Sequence, residues 1–387
     1  MITESGTDGV SYQEVQVIPV DDKLKMEDFL GLPRIVQERD PFWVPPILSE
    51  QRKLLDPRSG PFFEYGAARY FLAMRNGRPV GRVSAHVNPR YEERHDPNTG
   101  FFGFFECIDD PKVSHALFDS AAAWLRGRGK KRILGPLSFS IYDEVGVLVD
   151  GFDSLPAILH AHNPPYYQEL LHQWGFRKSI DWYAFRVTQR DIDADAMEKR
   201  LQTIMRGQGL VLTSPTVRDF TLRTDEVLEI FNECWDDNWG HVPFTRKEFY
   251  AIFRQLKPIL RPDLIHIILD QGRIVAFVIN IPDLNPTIQQ LNGKLTPWGM
   301  LRIIYEAKFK PLKKARVLLL GVRRPYQGRL LHHALILKTY SHIVRNHRSC
   351  EVCDCSLIVE SLAHFIRTVE RFGGRRYKTF RIFEREI

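Results

Sequence analysis

Residues 315–335 read ARVLLLGVRRPYQGRLLHHAL, and this stretch decides the fold. Val317 to Val322 form a short apolar run of strand length. A polar loop follows, Arg323-Arg324-Pro325-Tyr326-Gln327-Gly328, and from Leu330 the apolar residues Ile336, Tyr340, Ile343 and Val344 recur at helical spacing. The order is therefore strand, polar loop, helix. The first N–H groups of a helix have no intrahelical partner, so such a junction can hold an anion as large as a pyrophosphate.

Working outward, three pieces of sequence occur twice in the same order. The first is a hairpin. Residues 70–74 and 80–87 are strand-like around Asn76-Gly77-Arg78, and residues 264–269 and 274–281 are strand-like around Gln271-Gly272-Arg273. The second is a helix followed by a strand. Ser114-His115-Ala116-Leu117 opens one copy, with Leu117, Ala121, Trp124 and Leu125 at helical spacing; His332-His333-Ala334-Leu335 opens the other. The third is a helix, a glycine stop and an aromatic strand, at Gly175 in one copy and at Gly373-Gly374 in the other. The offset between copies widens from the first piece to the second and narrows again at the third. Each copy thus carries one insertion, residues 139–163 in the first and 285–312 in the second. The spacing predicts an α/β (α+β) chain of two tandem domains, 1–190 and 191–387, each a mixed central sheet flanked by helices.

Composition agrees with that size. A chain of 387 residues, 44% hydrophobic and 26% charged, can bury two ordinary cores without staples. Aromatics reach 12%, which suits thick sheet-on-helix packing or an apolar ligand channel. The net charge of +7 is spread along the chain, its densest clusters lying in residues 126–132 and 371–381 where a helix gives way to a strand. No basic stripe or recognition helix accompanies it, so no nucleic acid partner is expected, while peripheral membrane contact stays open. Cys350, Cys353 and Cys355 follow His347 in C-x-x-C-x-C, but no second ligand pair stands at zinc-knuckle spacing, and the same residues read as a buried strand. No metal is expected. The first fifteen residues lack the features of a signal peptide, and the free thiols suit a reducing, cytoplasmic setting.

The element order and the 315–335 stretch resemble the GNAT superfamily of acyl-CoA N-acyltransferases. Against that family's V-x-P-x-Y-R-G-x-G-I-G signature, Val322, Pro325, Tyr326, Gln327 and Gly328 fit, while Leu330 and His332 stand where the family has small residues. The resemblance implies that Val322, Arg324, Tyr326, Gln327, Gly328 and Arg329 hold acyl-CoA as co-substrate. The matching place in the first copy, FFECIDDPKVSHAL (104–117), has no glycine-rich loop, and that domain is read as degenerate. Longer phrases resemble a family of bacterial GNAT-like proteins over nearly the whole chain: GFFGFFECIDD, GPLSFSIYDEVG, HNPPYYQELL, NECWDDNWGHVPFT, INIPDLN and FGGRRYKTFRIFER. Some of its members act on amines of long-chain lipids, which implies a lipid-like amine acceptor and N-acyl transfer. Those proteins often read W-I-L-E-D-N where this chain has 357–362, so only Glu360 keeps a polar role there. The competing reading is a non-catalytic binding or interaction module derived from the same fold.

Acyl transfer to an amine needs a base, an oxyanion donor and an acid for the thiolate. The helix after residue 360 offers no tyrosine for the last of these. The candidate catalytic carboxylates are Glu106, alone in a Phe-rich strand and facing inward or outward by alternation; Asp237; Asp283 at a strand end; and Glu360. Candidate substrate-binding residues are Trp235, Asn238 and Trp239 beside Asp237, then Asn285, then Asp143, Glu144, His162, Asn163 and Tyr166 in and after the first insertion. Asn163 reads equally well as a helix cap. The placement of both insertions puts the active site between the copies.

Overall fold

The computed structural model describes residues 14–188 and 193–387. The first half runs β1 (Gln16–Pro19), α1 (Lys23–Gln37), α2 (Leu48–Leu55), β2 (Ala67–Arg75), β3 (Arg78–Val87), α3 (Pro89–Arg94), β4 (Thr99–Cys107), α4 (Pro111–Arg126), β5 (Arg132–Gly135), β6 (Val147–Asp150), α5 (Tyr167–Gln173) and β7 (Arg177–Thr188). The second runs α6 (Ala194–Met205), β8 (Val211–Thr213), α7 (Val217–Leu222), α8 (Thr224–Cys234), α9 (Arg246–Leu256), β9 (Ile265–Asp270), β10 (Arg273–Pro282), α10 (Asn285–Leu291), α11 (Pro297–Phe309), β11 (Lys314–Val322), α12 (Leu331–Asn346), β12 (Val352–Val359), α13 (Ala363–Arg371) and β13 (Arg375–Glu386). Each repeated piece falls on matching elements. Both hairpin turns place two successive residues at positive φ, Asn76 (53°) with Gly77 (71°) and Gln271 (46°) with Gly272 (82°). That is the type I′ geometry whose twist suits a two-residue hairpin.

The strands form one mixed sheet, in the order β1-β2-β3-β4-β5-β13-β7-β12-β11-β10-β9-β8, with β6 also paired to β13. Parallel pairing occurs at β4 with β5 and at β11 with β12, once per copy. Each half closes on the other half's last strand. β13 runs antiparallel to β5, and β7 runs antiparallel to β12. The expected division at 190 and 191 lies outside the described residues; the strands of both halves join in one sheet.

Helices cover both faces. In the second half, α6, α12 and α13 pack on one face with Ala276 and Val278, while α8, α9 and α11 pack on the other with Phe277 and Ile279. This is strand alternation read out as two cores. α4 sits likewise on the first half, burying Val113, Leu117, Phe118, Ala121 and Leu125 at helical spacing. Each large apolar side chain there contributes about 2 kcal/mol. Trp124, at the rim of that stripe, is instead covered by the Arg128 guanidinium 3.5 Å above its ring. Asn163 is not a helix cap: Tyr166 takes that place before α5, and the Asn163 side chain accepts from the Leu148 N–H (2.7 Å). Cys350, Cys353 and Cys355 are buried free thiols beside or within β12, and His347 turns away from them to Asp263 (2.8 Å). Asp263, His342 and His347 come together, but Arg261 holds the same carboxylate at 3.1 and 3.0 Å, so the group is an ion pair network.

Candidate functional site

The site begins where two parallel strands part. β11 and β12 pair only from Lys314 with Val352 to Val317 with Cys355. On its other side β11 carries a bulge: Val317 faces Asn280 and Leu319 faces Ile279, which leaves Leu318 without a cross-strand partner. Beyond this point a channel with about 1340 Å³ of empty space, open mouths included, fills the gap. Leu318, Leu319 and Leu320 line one edge, and Cys355, Ser356, Leu357 and Ile358 the other. Tyr340, Phe365 and Phe372 border it from one face of the sheet; Trp235, Phe249, Ile252 and Leu256 border it from the other face. The channel therefore passes through the sheet. Ile141, Tyr142, Asp143 and Leu159, all from the first-copy insertion, complete the wall.

At the end of β11 the loop of the 315–335 stretch leads into α12. Gly328 has φ of 89° and Leu330, the N-cap, has φ of 58°, a conformation that favours glycine. Glycine would take this conformation without strain; here leucine takes it, 47% exposed. His332 lies beside His333 with ring centroids 4.1 Å apart, and burial brings its imidazole down to about 4, so it is neutral. The N-cap Leu330 makes no capping hydrogen bond, so among the described residues the first N–H groups of α12 have no side-chain cap and can take an anion. Three arginines surround that end. Arg323 is held by Glu229 (3.1 Å) and Glu233 (3.4 Å), Arg324 by Asp236 (2.9 Å) and Asp237 (3.4 Å), and Arg329 lies 5.1 Å over the Tyr326 ring. Tyr326 donates to Asp270 (2.5 Å), and Gln327 donates back to the Val322 carbonyl (3.4 Å).

The first copy has the same junction in closed form. Asp110 caps α4 by accepting from the Lys112 N–H (2.8 Å) and pairs with Arg75 (2.6 Å), so a carboxylate of the protein occupies the anion position. The parting of β4 and β5 is filled by backbone: the Leu137 N–H donates to the Phe102 carbonyl (2.8 Å), and a Cβ on Gly103 would lie 1.9 Å from the Leu137 oxygen.

Among the ionisable groups of the channel wall, Asp143 stands out. It is half-buried on the channel wall, and desolvation raises its carboxyl to about 7 against the pull of the Ser140 hydroxyl at 2.7 Å. Glu248 and Glu144 add like-charge repulsion to that rise. Beside it Tyr142 is hydrogen-bonded to His241 Nδ1. Deeper in, Ser356 joins His160 Nε2 (2.7 Å) to Asp354, which also accepts from Tyr377 (2.6 Å). Burial keeps the His160 imidazole neutral and raises the Asp354 carboxyl despite Arg316 nearby. Arg316 lines the channel and is itself buried, with Nε and Nη1 lacking a hydrogen-bond partner among the described residues.

The sequence-derived candidates fall into separate groups. Asp143 and Trp235 line the channel. Glu144, next to Asp143, is raised by burial and lowered by Arg82. Trp239 packs on the channel residue Trp182 (6.5 Å between centroids), and Asn238 closes the turn between them by donating its N–H to the Trp235 carbonyl (2.9 Å). Asp283 and Asn285 form a clasp on the insertion: the Asp283 carboxylate accepts from the Ile158 N–H (3.2 Å), and Asn285 donates to the Pro156 carbonyl (2.8 Å). Glu106 points inward, but into the first copy, where Tyr167 (2.6 Å) and Gln37 (2.9 Å) hold it away from the channel. Tyr166 donates to the Cys107 carbonyl (2.7 Å), and His162 pairs with Asp40 (2.8 Å). Asp237 lies on the surface at Arg324, and Glu360 sits in a surface network with Lys178 (2.7 Å). Sequence reasoning missed Leu318, Arg316, Ser356 and His160. A bulge and a parting of strands leave no mark in a run of leucines.

No protein-family model matches the chain. It is 31% identical over 382 residues to the bacterial ceramide synthase of Caulobacter vibrioides (strain NA1000 / CB15N), covering 97% of this chain and 98% of that protein. It is 32% identical over 385 residues to Protein YghO of Escherichia coli (strain K12), covering 98% and 97%. Among solved structures, a tandem GNAT protein from the clavulanic acid biosynthesis pathway superposes with a TM-score of 0.54 at 13% identity, covering 96% of this chain and 98% of that one. A GCN5-related N-acetyltransferase from Sphaerobacter thermophilus gives 0.51 at 14%, covering 96% and 95%. The structural likenesses establish the fold, and the two full-length relatives place the chain in the family of tandem GNAT-fold acyltransferases to which the bacterial ceramide synthase belongs.

Proposed function

We propose that the protein transfers an acyl group from acyl-CoA to the amine of a long-chain, lipid-like acceptor within the channel between β11 and β12. The observation that carries this reading is an apolar passage with the bulge at Leu318 and the raised Asp143 carboxyl on its wall. A lining this apolar suits aliphatic chains better than a small polar amine. The ceramide synthase among the relatives is consistent with such an acceptor.

Bound acyl-CoA supplies an activated thioester. The uncapped start of α12, with Gly328, Tyr326 and Gln327 before it and Val322 anchoring β11, would hold the pyrophosphate, and Arg324 and Arg329 add charge. The Leu318 N–H would donate to the thioester oxygen as negative charge develops there. Asp143, near 7, is half ionised at neutral pH and takes the proton that the attacking nitrogen must lose. The nitrogen–carbon bond forms, the carbon–sulfur bond breaks, and Asp143 returns that proton to the departing thiolate. Asp143 thus covers the acid role for which α13 offers no tyrosine.

The test is amide formation by the purified protein from acyl-CoA and a long-chain amine, followed by thiol release and by mass. Product from the long-chain amine, with little from a short soluble one, is expected. Absence of both product and measurable acyl-CoA binding would favour the non-catalytic module.

A further inference from the structure

Helix α11 belongs to the second-copy insertion and is apolar on two opposite faces. Gly299, Ile303 and Ala307 are buried against the body of the protein. At about 100° per residue the other side carries Trp298, Leu301, Tyr305 and Phe309 in one arc. These four are 80%, 56%, 53% and 72% exposed. A surface helix normally turns only its core side apolar, and a contiguous exposed patch of large apolar side chains marks a contact surface.

The surrounding charge says what it contacts. From residue 294 to 314 the chain carries Lys294, Arg302, Lys308, Lys310, Lys313 and Lys314 against a single acid, Glu306. Lys308 and Arg302 flank the apolar arc on its two sides, and Lys310 reaches to 5.8 Å over the Tyr305 ring. Trp, Tyr and Phe within a basic border are the composition of a helix that lies in the plane of a negatively charged lipid surface. A second copy would bring two such basic borders together, which its charge opposes. We propose that α11 docks the protein, with its axis parallel to the surface, on an anionic phospholipid bilayer.

The position of the helix gives the contact a use. α11 packs on the turn Lys257–Ile259, which continues α9, and Ile252 and Leu256 of α9 line the channel. A long-chain acceptor held in the bilayer would therefore meet the channel wall beside the docked helix; this use rests on the proposed function, whereas the docking does not.

The experiment is flotation of the full chain with vesicles of phosphatidylcholine alone or with about a third phosphatidylglycerol, without acyl donor or acceptor. Binding to the anionic vesicles, reversed by high salt, is expected. Lys308→Gln and Lys310→Gln should each lower partitioning about fivefold, from the ~1 kcal/mol each basic residue contributes near such a surface. The pair Trp298→Ala and Phe309→Ala should lower it at least tenfold at an unchanged melting temperature, since both side chains are exposed. Turnover of a short soluble amine, where present, should be untouched by all four. Failure of the wild type to float, or flotation that the variants leave unaltered, overturns the proposal. So does a loss of self-association in the variants with vesicle binding intact, which would assign the face to a second copy. A protein that floats but forms no amide would refute the acyl-transfer reading alone.

Discussion

Asp143→Asn separates catalysis from stability at one residue. The Asp143 carboxyl stands at about 7 in the folded protein against an ordinary value of 3.8. A carboxyl raised on folding binds its proton more tightly in the native state, so the native state is favoured at low pH. That advantage fades as pH rises from the unfolded value, and above about 7 the ionised group opposes folding in full. The gap corresponds to about 4 kcal/mol, an upper figure because water in the channel solvates part of the charge. Asparagine keeps the shape and can still accept from Ser140, but it cannot ionise. The variant should melt at the same temperature as the wild type near pH 4 and several degrees higher at pH 8. Its rate should fall about 10²–10⁴-fold, and the acidic limb of kcat/KM, expected near 7 in the wild type, should vanish. Thiol release across pH 5.5–9 (roughly the range in which acid–base residues titrate) and parallel thermal melts measure both. A variant that retains the limb, or that is less stable than the wild type at pH 8, refutes the assignment.

Leu318→Pro removes the N–H proposed to donate to the thioester; a loss of about 10²–10³ in kcat with acyl-CoA binding retained is expected, and unchanged kcat would dismiss that donor. Gly103→Ala drives a methyl to 1.9 Å from the Leu137 oxygen, so the backbone that fills the first copy's parting must move; destabilisation of about 3 kcal/mol, read by denaturant melts, is expected, and a neutral result would mean the closure is loose. Fragments 1–190 and 191–387 expressed alone should aggregate, because each would carry the strand that completes the other's sheet, and co-expression should recover a soluble complex. Two independently soluble monomers would contradict the exchange.

Much of this architecture is legible in the sequence, because local rules govern it. Gly77 and Gly272 mark turns that need positive φ, and Gly175 and Gly373, at 93° and 86°, mark helix ends. What pairs with what is a tertiary matter. Nothing in the segments around Trp182 or Phe380 tells that β7 and β13 change places, since each is an aromatic strand with a suitable partner in either half. The site splits in the same way. Tyr326-Gln327-Gly328 could be read because a loop before a helix has composition. Leu318 could not, because its role comes from a register shift against Asn280, and Ser356 and His160 meet from positions far apart in sequence. The sequence alone puts Glu106 among the catalytic carboxylates and Asp143 among the substrate-binding residues; only the surroundings distinguish a group on the channel from one satisfied by Tyr167 and Gln37.

The two copies have diverged into complementary parts of one site. In the first, backbone from Leu137 fills the gap that would admit a ligand, and Asp110 takes the place of a phosphate. The segment that follows Leu137 then supplies Ile141, Tyr142, Asp143 and Leu159 to the second copy's channel. The proposed base, on a loop of the first copy, and the proposed donor, on a strand of the second, would lose their geometry if the two moved. Contacts that resist that motion include Asp283 on Ile158, Asn285 on Pro156, and Lys378 on the Ser154 carbonyl at 2.8 Å. Lys378 lies on β13, the strand that the second half lends to the first, so the exchange itself ties the insertion to the second copy. Loss of the first copy's own gap therefore does not reduce it to a spacer: with its gap closed, it becomes a wall of the second copy's channel, and the proposed chemistry would depend on it.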